Sequence, residues 1–231
     1  MKMKDTMDEL YELCVKQPFD VERIQAYITD HHIDGESITR MAIKLCDYAA
    51  FEYADYIYRY KTEPKPEKMR SYNWDKLFSV LVENGLDASL VFEDSNSTEN
   101  NILSSLMYVD NKDMGPRITK IILEKCGTPN IEIEGTSFFA EADDNFIFDI
   151  KCQLYEEKWR EEVAFQFWLV LVGFGGTRFD GKCPVEMRAG YSKDELKEFY
   201  NYTYEVHRDK NEVCISILSK EDGKEIAIVS R

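Results

Sequence analysis

The residues from Leu81 to Ser89 can be laid over those from Ile122 to Asn130 without a gap, matching Glu83 with Glu124, at an offset of 41 residues. Self-similarity at such a period constrains a fold more than any single motif. Each copy is one small unit that cannot bury its apolar face alone, so neighbouring copies must stack. A weaker third copy runs from Ile28 to Gly35.

The apolar spacing around these copies is helical. Leu10, Leu13 and Cys14 place a helix within Asp8 to Val15, closed by Pro18, and Asp20 caps a second carrying Val21, Ile24, Tyr27 and Ile28. Ile38, Met41, Ala42, Leu45, Ala49, Tyr53, Tyr56, Ile57 and Tyr60 recur at three- and four-residue steps. They predict a long helix, broken at most once, running to a linker around Pro64 and Pro66. Trp74, Leu77, Phe78, Leu81 and Val82 then form a helix that stops at Asn84 and Gly85. After a polar loop, Ile102, Leu103 and Leu106 mark one helix, and Ile118, Ile121, Ile122 and Leu123 the next.

The apolar run from Val163 to Val172 is about half of the roughly 20 residues a membrane-spanning helix needs, so it belongs to a core. It continues a polar, helix-forming stretch and stops at the cluster Gly173 to Gly176, which favours a helix over a buried strand. The C-terminal part changes character. A helix from Ser192 to Tyr200 leads into alternating runs at Tyr202, Tyr204 and Val206, at Val213, Ile215 and Ile217, and at Ile226 and Ile228. Asp222 and Gly223 form a hairpin signal between the last two.

The two copies resemble the segment of an ankyrin repeat in which the second helix ends, generically LLExGADPN. Gly35 to Ile38, Glu99 to Ile102 and Gly135 to Phe138 are similar to the start of the next first helix, with Ser37, Asn101 and Ser137 as caps. The Thr-Pro-Leu-His core is absent, spacings exceed the usual period of about 33 residues, and only Pro129 keeps the loop proline. The resemblance covers roughly residues 19 to 140. It implies a mainly α, ankyrin-like solenoid of helix pairs over residues 1–180. Residues 181–231 add a helix and a small antiparallel β-meander packed on its end, which makes the chain α+β overall. It also implies a non-catalytic module that binds a protein partner through a concave surface and projecting loops.

Charge bears on the partner, although its blander reading is solubility. The chain has 44 Asp and Glu against 29 Lys and Arg, a net charge of −15, which disfavours nucleic acid and anionic lipid and steers a basic protein toward it. The six cysteines, Cys14, Cys46, Cys126, Cys152, Cys183 and Cys214, form no CxxC pair, the pattern of reduced, mostly buried thiols. The first residues are acidic where a signal peptide is apolar, so a cytoplasmic location is expected.

No nucleophile, phosphate-loop, dinucleotide or metalloprotease motif is present, and the three histidines, His31, His32 and His207, lack metal-ligand spacing. Neither a cofactor nor a metal is therefore expected. The densest acidic stretch holds Glu132, Glu134, Glu141, Asp143, Asp144 and Asp149, interleaved with Phe138, Phe139, Phe146 and Phe148. Two readings compete here. One is a contact surface of aromatic anchors within an acidic rim, made of Asp87, Phe92, Glu132, Glu134, Phe138, Phe139, Glu141, Asp143 and Asp144. The other is a solvated helix edge with its Phe residues in the core. Phe51, Tyr53, Tyr56, Tyr58 and Tyr60 cannot all face one side of a helix and offer a secondary contact stripe. A narrower expectation is an immunity protein neutralising a basic toxin. The rivals are an enzyme with a carboxylate-based site and a structural scaffold or oligomer subunit.

Overall fold

Short amphipathic helices gain most of their stability from packing against one another. The arrangement is seen in a computed structural model, which describes residues 3–16, 18–60, 73–93, 98–109, 111, 114–152, 158–209 and 212–230. The linker read around Pro64 and Pro66 lies outside the described residues, as do the middle of the loop before Asn101 and the side chain of Asp149. Two compact units divide the chain, Met1–Cys126 and Gly127–Arg231.

The first unit contains α1 (Met3–Val15), α2 (Val21–Asp30), α3 (Gly35–Tyr60), α4 (Trp74–Glu83), α5 (Ile102–Met107) and α6 (Gly115–Cys126). They form two layers. Helix α1 packs on α3 and α3 on α5, while α2 packs on α4 and α4 on α6, and each consecutive pair packs internally. The buried side chains are the periodic ones: Leu10 and Cys14, Ile24 and Ile28, Met41 and Leu45, Leu77 and Leu81, Leu103 and Leu106, Ile118 and Ile122. Helix α3 runs unbroken for 26 residues, about 39 Å at the usual rise. Between α4 and α5 the chain makes a minimal hairpin, β1 (Phe92–Glu93) with β2 (Glu99–Asn100).

Polar ties fix the phase of the stack. Gln25 and Asn84 exchange a reciprocal pair of amide hydrogen bonds of 2.9 and 2.7 Å between α2 and the end of α4. The fully buried Asn101 accepts from the Leu103 N–H at the start of α5 and donates to the carbonyls of Ala88 and Leu90. It thereby caps one helix and holds the loop that leaves another.

The helix ends correct the register read from the sequence. Helix α2 closes with the Ile33 N–H on the Ile28 carbonyl and the His32 N–H on Thr29; α4 closes in the same way with Leu86 on Leu81 and Gly85 on Val82. Both are Schellman caps, in which the residue just past the helix adopts a left-handed backbone. That residue is His32 in α2 and Gly85 in α4, and Gly127 takes a positive φ directly after α6. An overlay at 41 residues sets Gly85 over Cys126, whereas the equivalent positions are Gly85 and Gly127, one residue further on. Ser37 also changes role: it lies inside α3, whose first turn is capped by Asp34 through the Ser37 N–H.

The second unit opens with a hairpin of β3 (Glu132–Ile133) and β4 (Thr136–Ser137), followed by α7 (Phe138–Cys152) and α8 (Lys158–Gly173). Helix α8 is buried almost all round from Val163 to Gly173, and no helix among the described residues is long and apolar enough to cross a membrane. Two 3-10 turns, Lys193–Lys197 and Phe199–Asn201, stand where the sequence predicts one α-helix, and both pack on α8.

The terminal sheet has four strands, one more than the meander expected. Strands β6 (Tyr202–Asp209), β7 (Glu212–Ser219) and β8 (Glu225–Ser230) are consecutive, and β5 (Val185–Met187) adds to β8, all antiparallel. Ile215, Ile217, Ala227, Val229 and Val185 share the buried face, and Tyr204 on that face meets Phe165 of α8 at 4.6 Å between ring centroids. The helix pair α7–α8 thus belongs to the same compact unit as the sheet. The boundary between units falls at residues 126 and 127, whereas the change in sequence pattern falls near 180.

Candidate functional site

Helix α7 sorts the acidic aromatic stretch into two faces. Phe138, Phe139, Ala142, Asp143, Phe146, Ile147 and Ile150 are buried, whereas Glu141, Asp144, Asn145 and Phe148 recur at three- and four-residue steps on the exposed side. Phe138 and Phe139, at 1% and 0% exposure, are core residues and not anchors on the surface. Phe146 stacks on Trp168 of α8 at 4.9 Å.

Asp143 is wholly buried and its charge is answered from within. It accepts the Trp168 indole N–H at 3.0 Å and forms an ion pair with Arg178, which also reaches Asp144 at 2.7 Å. The Arg178 guanidinium is held above its ordinary pKa chiefly by the hydrogen bond to Asp144 and also by Asp143, against the opposing effect of partial burial. An unpaired carboxylate at this depth would be too costly to bury, so the pair is what admits Asp143 to the core.

The same arginine anchors a turn. The Gly181 N–H returns to the Arg178 carbonyl at 2.8 Å, and Arg178 and Lys182 are joined through the backbone, closing a turn with Phe179 at its second position. Phe179 is 68% exposed, and Phe148 on α7 is 58% exposed. Large apolar side chains held open on rigid elements are what contact surfaces use as anchors.

The hairpin before α7 carries two further acidic side chains at the surface. Glu134 and Gly135 both take positive φ, the geometry of a two-residue hairpin turn, and Glu132 and Glu134 are exposed there while Ile133 points inward. Strand β4 packs on α7. Of the sequence-named residues in this unit, Glu132, Glu134, Glu141 and Asp144 are at the surface, and Phe138, Phe139 and Asp143 are buried.

In the first unit, Asp87 shapes a loop: its carboxylate accepts the Ser89 N–H and hydroxyl, and its own N–H donates to the Thr39 hydroxyl. Phe92 is buried beneath the Arg40 guanidinium, 4.0 Å from the ring centroid, a cation–π contact that fastens the β1–β2 hairpin to α3. The aromatic stripe of α3 divides, with Tyr53 and Tyr56 buried and Phe51, Tyr58 and Tyr60 exposed. Tyr53 receives the Trp74 indole N–H at 3.0 Å.

Two features escape a reading by composition. Phe148 belongs with the other phenylalanines by content, although helical phase from Phe138 sets it opposite them. Phe179 carries no motif of its own, although Asp180 and Gly181 beside it are a turn signal. Among the described residues no three His, Cys, Asp or Glu side chains converge as a metal site would require. Burial raises the Asp47 carboxyl on α3 above its ordinary range, and pushes the Cys14 thiol up to about 12. The chain matches no protein-family model, no curated protein and no solved structure.

Proposed function

We propose that this chain is a non-catalytic protein-binding module whose second unit holds a basic protein partner on the exposed face of α7, the β3–β4 hairpin and the Phe179 turn. The observation that carries the reading is the placement of Phe148 and Phe179, both open, on the same unit as exposed Glu132, Glu134 and Glu141. Apolar anchors supply most of the contact energy, while acidic neighbours steer and select a cationic partner.

The packing of the helices in the first unit supports this reading. In the first unit, first helices pack on first helices and second on second, and short hairpins precede both α5 and α7. Repeat stacks of this kind act by presenting surfaces. Neutralisation of a basic toxin is the narrower form of the proposal, motivated by the net charge of −15.

Affinity capture from the host with mass spectrometry tests it. Wild type should retain a basic protein at low salt and release it as salt rises, because exposed charge pairs are screened. Glu141→Lys combined with Phe148→Ser should lose that protein by about tenfold or more, a change of roughly 1.4 kcal/mol. Retention unchanged in the double variant would refute the assigned surface.

A further inference from the structure

Outside the α7 face, the first helix pair carries a groove. Between α1 and α2 lies an open depression of about 440 Å³, and a second of about 510 Å³ adjoins it, the two sharing Leu13 and Arg23. Its floor is apolar and braced. Tyr27 stacks on His31 at 4.0 Å and donates its hydroxyl to Glu9 at 2.7 Å, while Phe19 leans on Trp74 at 5.1 Å. Above that floor stand the exposed carboxylates of Asp8, Glu9, Glu12 and Glu22. Two cations line the groove, Arg23 where the depressions meet and Lys16 in the second, against the carboxylates of Asp8, Glu9, Glu12, Asp20 and Glu22, so its charge balance is acidic.

We propose that this groove is a second contact surface, built for a lysine-bearing amphipathic segment of a protein partner. Leu13 and Phe19 would cover the segment's apolar side chains, and lysine stems would lie along Tyr27 with their ammonium groups at Asp8 and Glu12. A long aliphatic stem with a cationic head is the side chain that satisfies both halves of such a groove. Charge argues against the other occupants: a second copy of a chain at −15, an anionic membrane and a nucleic acid would all be repelled. The groove lies in the first unit and its residues are separate from the α7 face, so either surface can fail without the other.

Binding of a fluorescein-labelled peptide of alternating lysine and leucine to the full chain, followed by anisotropy, tests the proposal. Peptides of lysine alone and of alternating glutamate and leucine serve as comparisons. Saturable one-to-one binding of the lysine–leucine peptide is expected, weakened by about tenfold or more in Asp8→Lys/Glu12→Lys at roughly 0.05 M salt, and by less at high salt. Glu141→Lys/Phe148→Ser should bind it within about twofold of wild type. Both substituted carboxylates are exposed, and an unchanged melting curve will show that the reversed variant folds. Absence of binding, equal binding by the reversed variant, or equally tight binding of the lysine-only peptide overturns the proposal. Unchanged partner capture by Glu141→Lys/Phe148→Ser, with the peptide result intact, would refute the α7 assignment alone.

Discussion

Gly35→Ala is expected to destabilise the first unit by about 2–4 kcal/mol, the upper part of the range for forcing atoms into a packed interior. A Cβ at residue 35 would lie 2.3 Å from the Gly85 carbonyl oxygen and 3.1 Å from its carbon. Neither atom can turn aside as a side chain would. Gly85 is held in the Schellman cap of α4, and the loop beyond it is pinned by the Asp87 N–H on Thr39. Relief would require the start of α3 to move away from the end of α4, loosening the Gln25–Asn84 pair nearby. Alanine recovers at most about 1 kcal/mol of helix propensity in the first turn of α3, which does not offset the clash. Thermal unfolding should show a midpoint lowered by roughly 5–10 °C. Gly127→Ala is the control: its Cβ would meet nothing within 4 Å, and only the positive φ opposes it, at about 1–2 kcal/mol. If Gly35→Ala proves no worse than Gly127→Ala, the close approach of α3 to the α4 cap is wrong.

Asp143→Ala should cost the second unit about 2–4 kcal/mol. The carboxylate is fully buried, so its removal strands the Trp168 indole N–H without its acceptor and takes one of two carboxylates from Arg178. Breaking a buried pair from one side typically costs about 3–5 kcal/mol; Arg178 is a quarter exposed and keeps Asp144, which lowers the expectation. Asp143→Asn keeps an acceptor for Trp168 but weakens the pair, so it should fall between wild type and alanine. Urea unfolding followed by tryptophan fluorescence measures both. Equal stability of wild type and Asp143→Ala would show that the Asp143–Arg178–Trp168 cluster contributes nothing. The same substitution should loosen the turn that presents Phe179 and so weaken partner binding beyond the loss from unfolding.

The helices are legible in the sequence because their signals are local. Asp20 caps α2 as its position before Val21 suggests, and the apolar run ending at Gly173 is a helix because a polar, helix-forming segment leads into it. The likeness between the helix ends is off by a residue in the sequence, since Glu83 and Glu124 give a better textual match than the left-handed caps, and His32 fills one cap without being glycine. Strand β5 has three residues and exists through its pairing with β8, a partner some 40 residues away in the chain, which no local pattern announces. Ser192 and Glu195 do form a capping box, yet the segment closes as 3-10 turns whose buried residues, Leu196 and Phe199, are three apart.

The candidate surface is half legible for the same reason. Charge density picks out the stretch that carries the proposed face, but separating Asp143 from Asp144 requires knowing that Trp168 and Arg178 come to meet the first of them, from 25 and 35 residues away. Helical phase alone exchanges Phe138 and Phe139 for Phe148. Phe179 needs the tertiary structure, because its position depends on where Arg178 is held.

Hydrogen exchange of the full chain, with and without the captured partner, tests the assignment of the α7 face most directly. New protection is expected at residues 132–148 and 178–182, with the strands at 202–209 and 212–219 unchanged. Protection confined to those strands, with the α7 face exchanging as in the free chain, would contradict it.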